Sequence, residues 1–340
     1  MLDFSTLQPY FCNRNNKDKG NMKLYDFISR FSDEDACKEH FIAVRKKQGV
    51  VCPKCGCTHN TYLPSRTKFE CKDCGCRFSL RSGTALEGSK LPFRYWFIAI
   101  HLLTATKHTF SAAEIQRQLG HKRYQPIWEM VHKIRSVMGK RDAEYNLAGY
   151  VELDEGFFTT EKPKNMTKYS KDRKAKVMVM AESVPVSNPK PNAKVKKVGH
   201  IKMFVVPNLK KETLFSVASE NIHKNSVITM DASHNHSKIE QMYDSICEKC
   251  PTQKDVDELL PWVHTTISNA KSLLLDTYHG IKEEFLQEYL NEFCYKFNRR
   301  YFGEGLFDRV IDICVMYGTG FSHQPYRKCK VVNVSDDVAA

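Results

Sequence analysis

The stretch Tyr150-Val-Glu-Leu-Asp154-Glu-Gly-Phe-Phe158 has the alternating pattern of a half-buried β-strand. Strand-like runs follow at 176–180, 201–206 and 226–230, and the last of these ends directly at Asp231. A short helix is predicted before that last run, over 212–219. Three strands, then a helix and a fourth strand, predict a mixed sheet with helices packed against it. We therefore expect a domain of the α/β or α+β class over 148–320.

Two aspartates of this domain are candidates for catalysis. Asp154 and Asp231 each lie in or directly after a hydrophobic strand. If those strands are neighbours, both carboxylates meet at one end of the sheet, where a pair of like charges is costly unless a cation bridges it. Two divalent ions can then hold the attacking and leaving oxygens of a displacement at phosphorus. Taken alone the pair is weak evidence, because an aspartate that ends a strand is often only a turn former. Glu155, next to Asp154, points to the other face of the strand and is interpreted as structural.

Upstream of this domain the cysteines are clustered, with six of the 13 lying between 52 and 76. Two C-x-x-C-G knuckles are joined by a 15-residue loop, residues 56–70. The glycine of each knuckle permits a tight turn that aims backbone amides at the sulfurs. Four such thiolates form a tetrahedral site for a structural Zn²⁺, so we predict a zinc ribbon over 45–86. The predicted ligands are Cys52, Cys55, Cys71 and Cys74. The surplus Cys57 and Cys76 are interpreted as ordinary small residues, and the alternative is a role as substitute ligands or as residues that support the ligands.

Between the ribbon and the sheet domain, the region 90–141 has the pattern of a helix-turn-helix. Ser111 is the predicted N-cap of its second helix, with Glu114 completing a capping box, and Gly120 is the predicted end. A longer recognition helix starts at about Tyr124. Base and phosphate contacts are made around the start of a recognition helix. The residues predicted to lie there are His121, Lys122, Arg123, Tyr124 and Gln125. The alternative is a plain helical hairpin that packs between domains.

Composition places limits on the class of protein. The 340 residues suffice for two or three domains, and we expect a helical segment over 1–44 and a tail over 321–340. Fifty-two basic against 39 acidic residues give a net charge of +13, which favours a polyanion such as nucleic acid as partner. No apolar run reaches the ~18 residues of a membrane span, and the first residues lack a signal-peptide pattern. We therefore expect a cytoplasmic protein with no membrane contact.

Together these motifs resemble those of bacterial insertion-sequence transposases with an N-terminal zinc ribbon and a DDE-type, ribonuclease-H-like nuclease domain. The resemblance extends from about Cys52 to Asn298. It rests on the ribbon and, in order, on Phe78-Ser-Leu-Arg-Ser-Gly-Thr84, Leu91-Pro-Phe-Arg-Tyr-Trp-Phe97, Val151-Glu-Leu-Asp-Glu155, Met230-Asp231, Ser268-Asn-Ala-Lys271, Asp276-Thr-Tyr-His-Gly280 and Phe297-Asn-Arg-Arg300.

The resemblance implies an enzyme that cleaves and transfers DNA strands with two Mg²⁺ or Mn²⁺ ions. Its partners would be double-stranded DNA, as terminal inverted repeats and as target, and further copies of the chain in a homodimer or larger paired-end complex. It would act on the bacterial nucleoid. Arg299 and Arg300, at the end of a predicted helix over 283–300, are expected to hold a DNA backbone.

The third metal ligand departs from the family's usual glutamate. The family places Glu, or sometimes Asn or His, downstream of the second aspartate, with a lysine seven residues later on the same helix. Here Lys271 lies seven residues after His264, which lies 33 residues after Asp231. The resemblance thus implies His264 as ligand, with Asn269 as the second candidate, and Lys271 as a contact to substrate phosphate. Imidazole is softer than carboxylate and binds metal only when neutral, so we expect Mn²⁺ to be preferred and activity to fall as the pH drops through ~6.5.

Two other hypotheses stay open. The chain is alternatively a DNA-binding regulator or domesticated relative that has lost catalysis, which the missing glutamate favours. Retention of Asp154, Asp231 and Lys271 argues against it, since a binding protein has no need of them. An unrelated zinc-ribbon nuclease or an assembly factor is the third hypothesis.

Overall fold

The computed structural model describes residues 22–161, 174–186, 196–248, 259–278, 280–319 and 321. The expected N-terminal segment 1–44 is therefore described only from residue 22. Of the expected tail 321–340, Phe321 alone lies within the described residues. None of the helices in the described part of the chain is long and apolar enough to cross a membrane.

The front of the molecule combines helices with a small antiparallel sheet of order β1-β2-β3. The side chain of Asp33 accepts the Ala36 N–H (2.8 Å) and so caps the second helix. The elements are α1 (Leu24–Arg30), α2 (Glu34–Gln48), β1 (Asn60–Leu63), β2 (Lys68–Cys71), β3 (Arg77–Ser79), α3 (Phe93–Ala105), α4 (Ala112–Leu119) and α5 (Tyr124–Ala143).

Helix α4 begins and ends where the sequence predicts. The Ser111 hydroxyl accepts the Glu114 N–H (3.1 Å), and Gly120 adopts a left-handed φ of 62° that ends the helix. Within the described part of the chain, the Glu114 carboxylate does not complete the reciprocal half of the predicted capping box. It instead accepts bonds from Arg117 (2.6 Å) and Gln118 (2.7 Å), which lie one turn away on the same helix face.

The second half of the chain forms a five-stranded mixed sheet of order β6-β5-β4-β7-β8. β4, β5 and β6 pair antiparallel, whereas β7 is parallel to both β4 and β8. The expected ribonuclease-H-like fold is thereby confirmed. The elements are β4 (Tyr150–Thr159), β5 (Lys174–Pro185), β6 (Lys196–Val206), α6 (Lys211–Asn221), β7 (Val227–Asp231), α7 (Ser237–Met242), β8 (Asp244–Glu248), α8 (Pro261–Thr277) and α9 (Glu283–Asn298).

The two faces of this sheet are covered by different helices. Val151 and Leu153 of β4 pack in one core with residues of α6, such as Leu214. Phe158 packs in the opposite core with α8 and α9. Because successive side chains of a strand point to opposite faces, Glu152 and Asp154 face α8.

The last helix, α10 (Gly305–Met316), returns to the front of the molecule. Phe307 packs against Phe31 of the N-terminal helices and Phe97 of α3, with ring centroids 5.4 and 6.0 Å apart. The range 148–320 expected for the sheet domain thus includes a helix whose core contacts lie with α2 and α3. An amphipathic pattern shows that a helix face is buried, but it does not show which element covers it.

Candidate active site

Asp154 and Asp231 lie side by side on neighbouring strands. β4 and β7 pair in parallel from Tyr150↔Val227 to Glu152↔Thr229, and these partners are 77 positions apart. The same spacing separates Asp154 from Asp231, which is the last residue of β7. The side chain of Asp154 is 17% exposed and that of Asp231 is 41% exposed. The sheet thus presents both carboxylates at one place, as the strand pattern predicts.

Helix α8 brings His264 to this pair. His264 Nε2 lies 3.1 Å from Asp154 Oδ2, and its side chain is 26% exposed. Asn269, the second candidate, is exposed on another side of the helix. Lys271 lies two turns after His264 on the same side, with Nζ 5.7 Å from the centre of the Phe158 ring. The structure therefore gathers His264 and Lys271 along the Asp154 face of β4, and it leaves Asn269 outside that group.

Gly156 allows α8 to lie close to β4 between these two contacts. A Cβ atom at Gly156 would lie 3.1 Å from the Phe158 ring and 3.4 Å from the side chain of Ile267 on α8. The contacts from His264 to Asp154, from Ile267 to Gly156 and from Lys271 to Phe158 thus follow one another along both elements.

Glu152, for which the sequence predicts no role of its own, holds the first turn of α8. Its side chain is buried, and Oε2 accepts the backbone N–H groups of Trp262 (2.7 Å) and Val263 (3.0 Å). A helix N-terminus leaves such N–H groups without partners inside the helix and favours negative charge. Pro261 at the first position needs no such partner. Glu152 thus fixes the helix one residue before His264.

Behind Asp231 stands a buried histidine, His236, which no sequence motif singled out. His236 Nδ1 lies 3.0 Å from Asp231 Oδ1, and Nε2 lies 2.8 Å from Glu155 Oε1. Burial opposes a charged ring, but the hydrogen bond and charge of Glu155, together with Asp231, raise the pKa of His236 to about 9. Strand alternation places Glu155 on the face of β4 opposite Asp154. On that face its partner is His236.

The donor set fits a divalent cation. Burial raises the pKa of Asp231; the charges of Asp154 and Glu155 add to that rise, whereas His236 opposes it. A cation shared by Asp154 and Asp231 would relieve this repulsion, and neutral His264 would supply nitrogen. Among the described residues, the groups of three or more such ligands that lie within 4.8 Å of one another belong to the ribbon. Asp154, Asp231 and His264 are therefore less tightly gathered than the cysteines.

The ribbon cysteines converge as predicted. Sγ of Cys52 lies 3.7 Å from that of Cys74, and Sγ of Cys55 lies 3.5 Å from that of Cys71. Gly56 and Gly75 have left-handed φ values of 74° and 67° in the two knuckles.

Backbone amides favour the thiolate form of Cys52 and Cys71, whereas at Cys55 the amide of Cys57 is outweighed by the neighbouring sulfurs, which raise the pKa of Cys55 to about 12. Burial opposes ionisation, but the backbone N–H groups of Cys55 and Lys54 lower the pKa of Cys52 to about 6. The N–H of Cys74 similarly lowers the pKa of Cys71. Four sulfurs with this geometry fit a tetrahedral zinc ion.

The predicted DNA-contacting residues are placed differently from one another. Lys122, Arg123, Tyr124 and Gln125 are exposed at the start of α5, next to the partly buried His121. Arg299 instead pairs with Asp142 of α5 (2.5 Å). Arg300 donates to the backbone oxygens of Phe297 (2.8 Å) and Val198 (2.9 Å). Both arginines thus have partners within the chain, and their contact with DNA stays a prediction.

Comparison with known families agrees with this arrangement. Residues 146–298 match the ISXO2-like transposase domain, and residues 32–77 match the transposase zinc-ribbon domain. The chain belongs to the ISXO2-like, zinc-ribbon transposases. In this transposase the matched domain contains β4 to α9, and hence every candidate residue of the Asp154–Asp231 site. α10 lies beyond the match, in keeping with its packing against the front helices.

Individual relatives of this transposase are distant. An uncharacterized protein in transposable element ISH50 of Halobacterium salinarum is 27% identical over 132 residues. That alignment covers 38% of this chain and 43% of the relative's length. Among solved structures, the Mos1 strand transfer complex is similar at 13% identity over 69% of this chain and 82% of that chain, with a TM-score of 0.24. At that score the likeness carries no structural argument.

Proposed function

We propose that this transposase cleaves DNA at the ends of its mobile element and joins the freed ends to target DNA. The observation that carries the proposal is the placement of Asp154 and Asp231 on adjacent parallel strands, with His264 3.1 Å from Asp154. The wider family assignment supports it, and so does the exposed basic start of α5.

The proposed reaction is phosphoryl transfer in two steps. Water attacks a backbone phosphorus, the bond from phosphorus to the 3′ oxygen breaks, and a 3′ hydroxyl is released. That hydroxyl attacks a target phosphodiester, forms a new bond from its oxygen to phosphorus, and displaces a target 3′ hydroxyl. Bound Mg²⁺ or Mn²⁺ would activate the attacking oxygen and stabilise charge on the leaving oxygen.

Each residue has a proposed part in this reaction. Asp154, Asp231 and His264 would hold the cations. Lys271, on the same side of α8 as His264, would bind a DNA phosphate next to the reacting one. His121 to Gln125 would contact DNA from the recognition helix. The ribbon would bind structural zinc and stabilise the front of the molecule.

A supercoiled-plasmid assay tests the proposal. The plasmid carries the DNA that flanks the gene, and nicking and strand joining are followed with Mn²⁺, with Mg²⁺ and without metal. We expect metal-dependent nicking and joining by the wild-type chain, and loss of both in Asp231→Ala with DNA binding retained. Sound DNA binding without cleavage in either metal would contradict the proposal and support the regulator hypothesis.

A further inference from the structure

His236 is enclosed between two acidic side chains on the side of Asp231 away from α8. Its side chain is 0% exposed, whereas that of Asp231 is 41% exposed. Nε2 lies 2.8 Å from Glu155 Oε1, and Nδ1 lies 3.0 Å from Asp231 Oδ1 and 3.2 Å from the Asp231 backbone oxygen. Both ring nitrogens therefore have acidic or carbonyl partners, which fixes the orientation of the ring.

Local structure explains why the histidine reaches this place. The chain turns directly after β7, where the Ser233 N–H donates to the Asp231 oxygen (2.8 Å). A short 3-10 turn, His234–His236, then leads into α7. Glu155 lies one position after Asp154 on β4 and so points to the opposite face. The turn and the strand alternation together place His236 between Glu155 and Asp231.

We propose that Glu155 and His236 are positioning residues that orient Asp231 for metal binding. A half-exposed carboxylate at a strand end has several side-chain rotamers available, and few of them direct it at a shared cation. The ion-pair contact from His236 Nδ1 to Asp231 Oδ1 restricts that freedom, because the ring is itself held by Glu155 and by the Asp231 backbone oxygen. Loss of such partners of metal ligands typically weakens metal binding 10–100-fold. This inference rests on the proposed function, since it assumes a divalent cation at Asp154 and Asp231.

Two substitutions at His236 separate positioning from packing. His236→Phe keeps the ring volume and removes both nitrogens. His236→Asn is smaller but keeps an amide that reaches toward Asp231. If His236 only filled space, Phe would be tolerated better than Asn. If it orients Asp231, Asn retains more Mn²⁺ affinity than Phe. His234→Asn changes an exposed histidine of the same turn and is the matched control.

The experiment is Mn²⁺ titration of the zinc-loaded full chain by calorimetry and electron paramagnetic resonance, with melting temperatures measured in parallel. Asp231→Asn defines the part of the binding that belongs to this site. We expect His236→Phe to weaken that binding by about 10–100-fold, Glu155→Gln and His236→Asn to weaken it less, and His234→Asn to leave it unchanged. Cleavage by His236→Phe should recover toward the wild-type maximum at high Mn²⁺.

The outcomes distinguish this inference from the proposed function. Wild-type Mn²⁺ affinity in both His236→Phe and Glu155→Gln, with loss in Asp231→Asn, would overturn the positioning role and leave the metal site intact. Higher Mn²⁺ affinity in His236→Phe than in His236→Asn would overturn the positioning role as well. Absence of any binding that Asp231→Asn removes would overturn the proposed metal site itself. If His236→Phe fails to fold, Glu155→Gln and His236→Asn decide the question against the same control.

Discussion

Three acidic residues within four positions of β4 contact three different elements. Glu152 holds the N-terminus of α8, Asp154 lies against His264, and Glu155 contacts His236. Strand alternation explains the division, because Glu152 and Asp154 share one face and Glu155 lies on the other. Of the three, Asp154 is the one that lies level with Asp231 on the neighbouring strand β7, which is why we propose it as the metal-binding residue.

The choice between His264 and Asn269 is testable by substitution. We predict that His264→Ala lowers the rate of strand cleavage about 10²–10³-fold, the loss typical for removal of one contact that stabilises the transition state. Asn269→Ala should cleave at close to the wild-type rate, because Asn269 is exposed and away from Asp154. Single-turnover rates at saturating DNA provide the measurement. A larger loss in Asn269→Ala than in His264→Ala would reverse the assignment.

Metal preference should follow the third ligand. Imidazole favours Mn²⁺ relative to Mg²⁺, whereas carboxylate oxygen suits both ions. We predict faster cleavage in Mn²⁺ than in Mg²⁺ for the wild-type chain, and a smaller ratio of the two rates for His264→Glu. Equal rates in both metals for the wild-type chain would count against His264 as a ligand. Rates are compared at metal concentrations that saturate each variant.

At the scale of elements, the position of α8 relative to β4 decides where His264 lies. Glu152 binds the first turn of the helix, and Gly156, which has no side chain, leaves room for Ile267 in the middle of the helix. We predict that Glu152→Leu lowers the free energy of unfolding by about 1–3 kcal/mol, because the N–H groups of Trp262 and Val263 lose a buried acceptor. The rate of cleavage should fall as well, because His264 comes directly after Val263 and would lose its fixed position.

Chemical denaturation and cleavage rates measure both effects of Glu152→Leu. Glu240→Leu, an exposed position on α7, is the matched control and should change neither quantity appreciably. Wild-type stability and activity in Glu152→Leu would show that the cap does not position the helix.

The four convergent cysteines of the ribbon predict how zinc binding depends on individual cysteines. We predict that the wild-type chain binds one zinc ion in this cluster, that Cys55→Ser loses it, and that Cys57→Ser retains it, because Cys57 is outside the group of four convergent sulfurs. Elemental analysis of the purified variants measures zinc per chain. Loss of zinc from Cys57→Ser, or full retention in Cys55→Ser, would require a different ligand set.

The elements that the sequence predicts well are those with local signals. The ends of α4 depend on Ser111 and Gly120, and the knuckles depend on cysteine spacing and glycine, so all were visible in the sequence. Glu152 and His236 had no local signal. A carboxylate inside a strand and a histidine after a turn acquire their partners only when distant segments pack.

At the scale of the whole molecule, a buried ion pair joins the helix-turn-helix region to the sheet domain. Arg135 of α5 pairs with Glu292 of α9 (2.8 Å), with side chains 1% and 4% exposed. Arg135 also donates to the hydroxyl of Tyr278 (2.7 Å), and the Thr109 hydroxyl donates to Glu292 (2.6 Å). Helix α5 therefore packs against the sheet domain, in addition to its predicted role as the recognition helix. Such packing is what the alternative of a plain helical hairpin between domains predicts.

Removing one partner of this pair should be costly. We predict that Arg135→Met lowers the free energy of unfolding by about 3–5 kcal/mol, because the buried Glu292 loses its nearer cation and keeps the more distant Lys296, at 3.7 Å. The double variant Arg135→Met, Glu292→Leu should recover much of that loss. Arg141→Met, which breaks the more exposed pair with Glu144, should cost less than about 1 kcal/mol. Denaturant unfolding compares them, and equal costs for Arg135→Met and Arg141→Met would contradict the structural role.

We propose that Asp154 and Asp231 form one metal-dependent site for DNA strand cleavage. The most direct test is the single-turnover rate of cleavage on a duplex that carries the element end, in Mn²⁺ and at saturating protein. We predict specific cleavage that leaves a 3′ hydroxyl, and its loss in both Asp154→Asn and Asp231→Asn while DNA affinity and melting temperature stay close to wild type. Undiminished cleavage in either variant would contradict the claim.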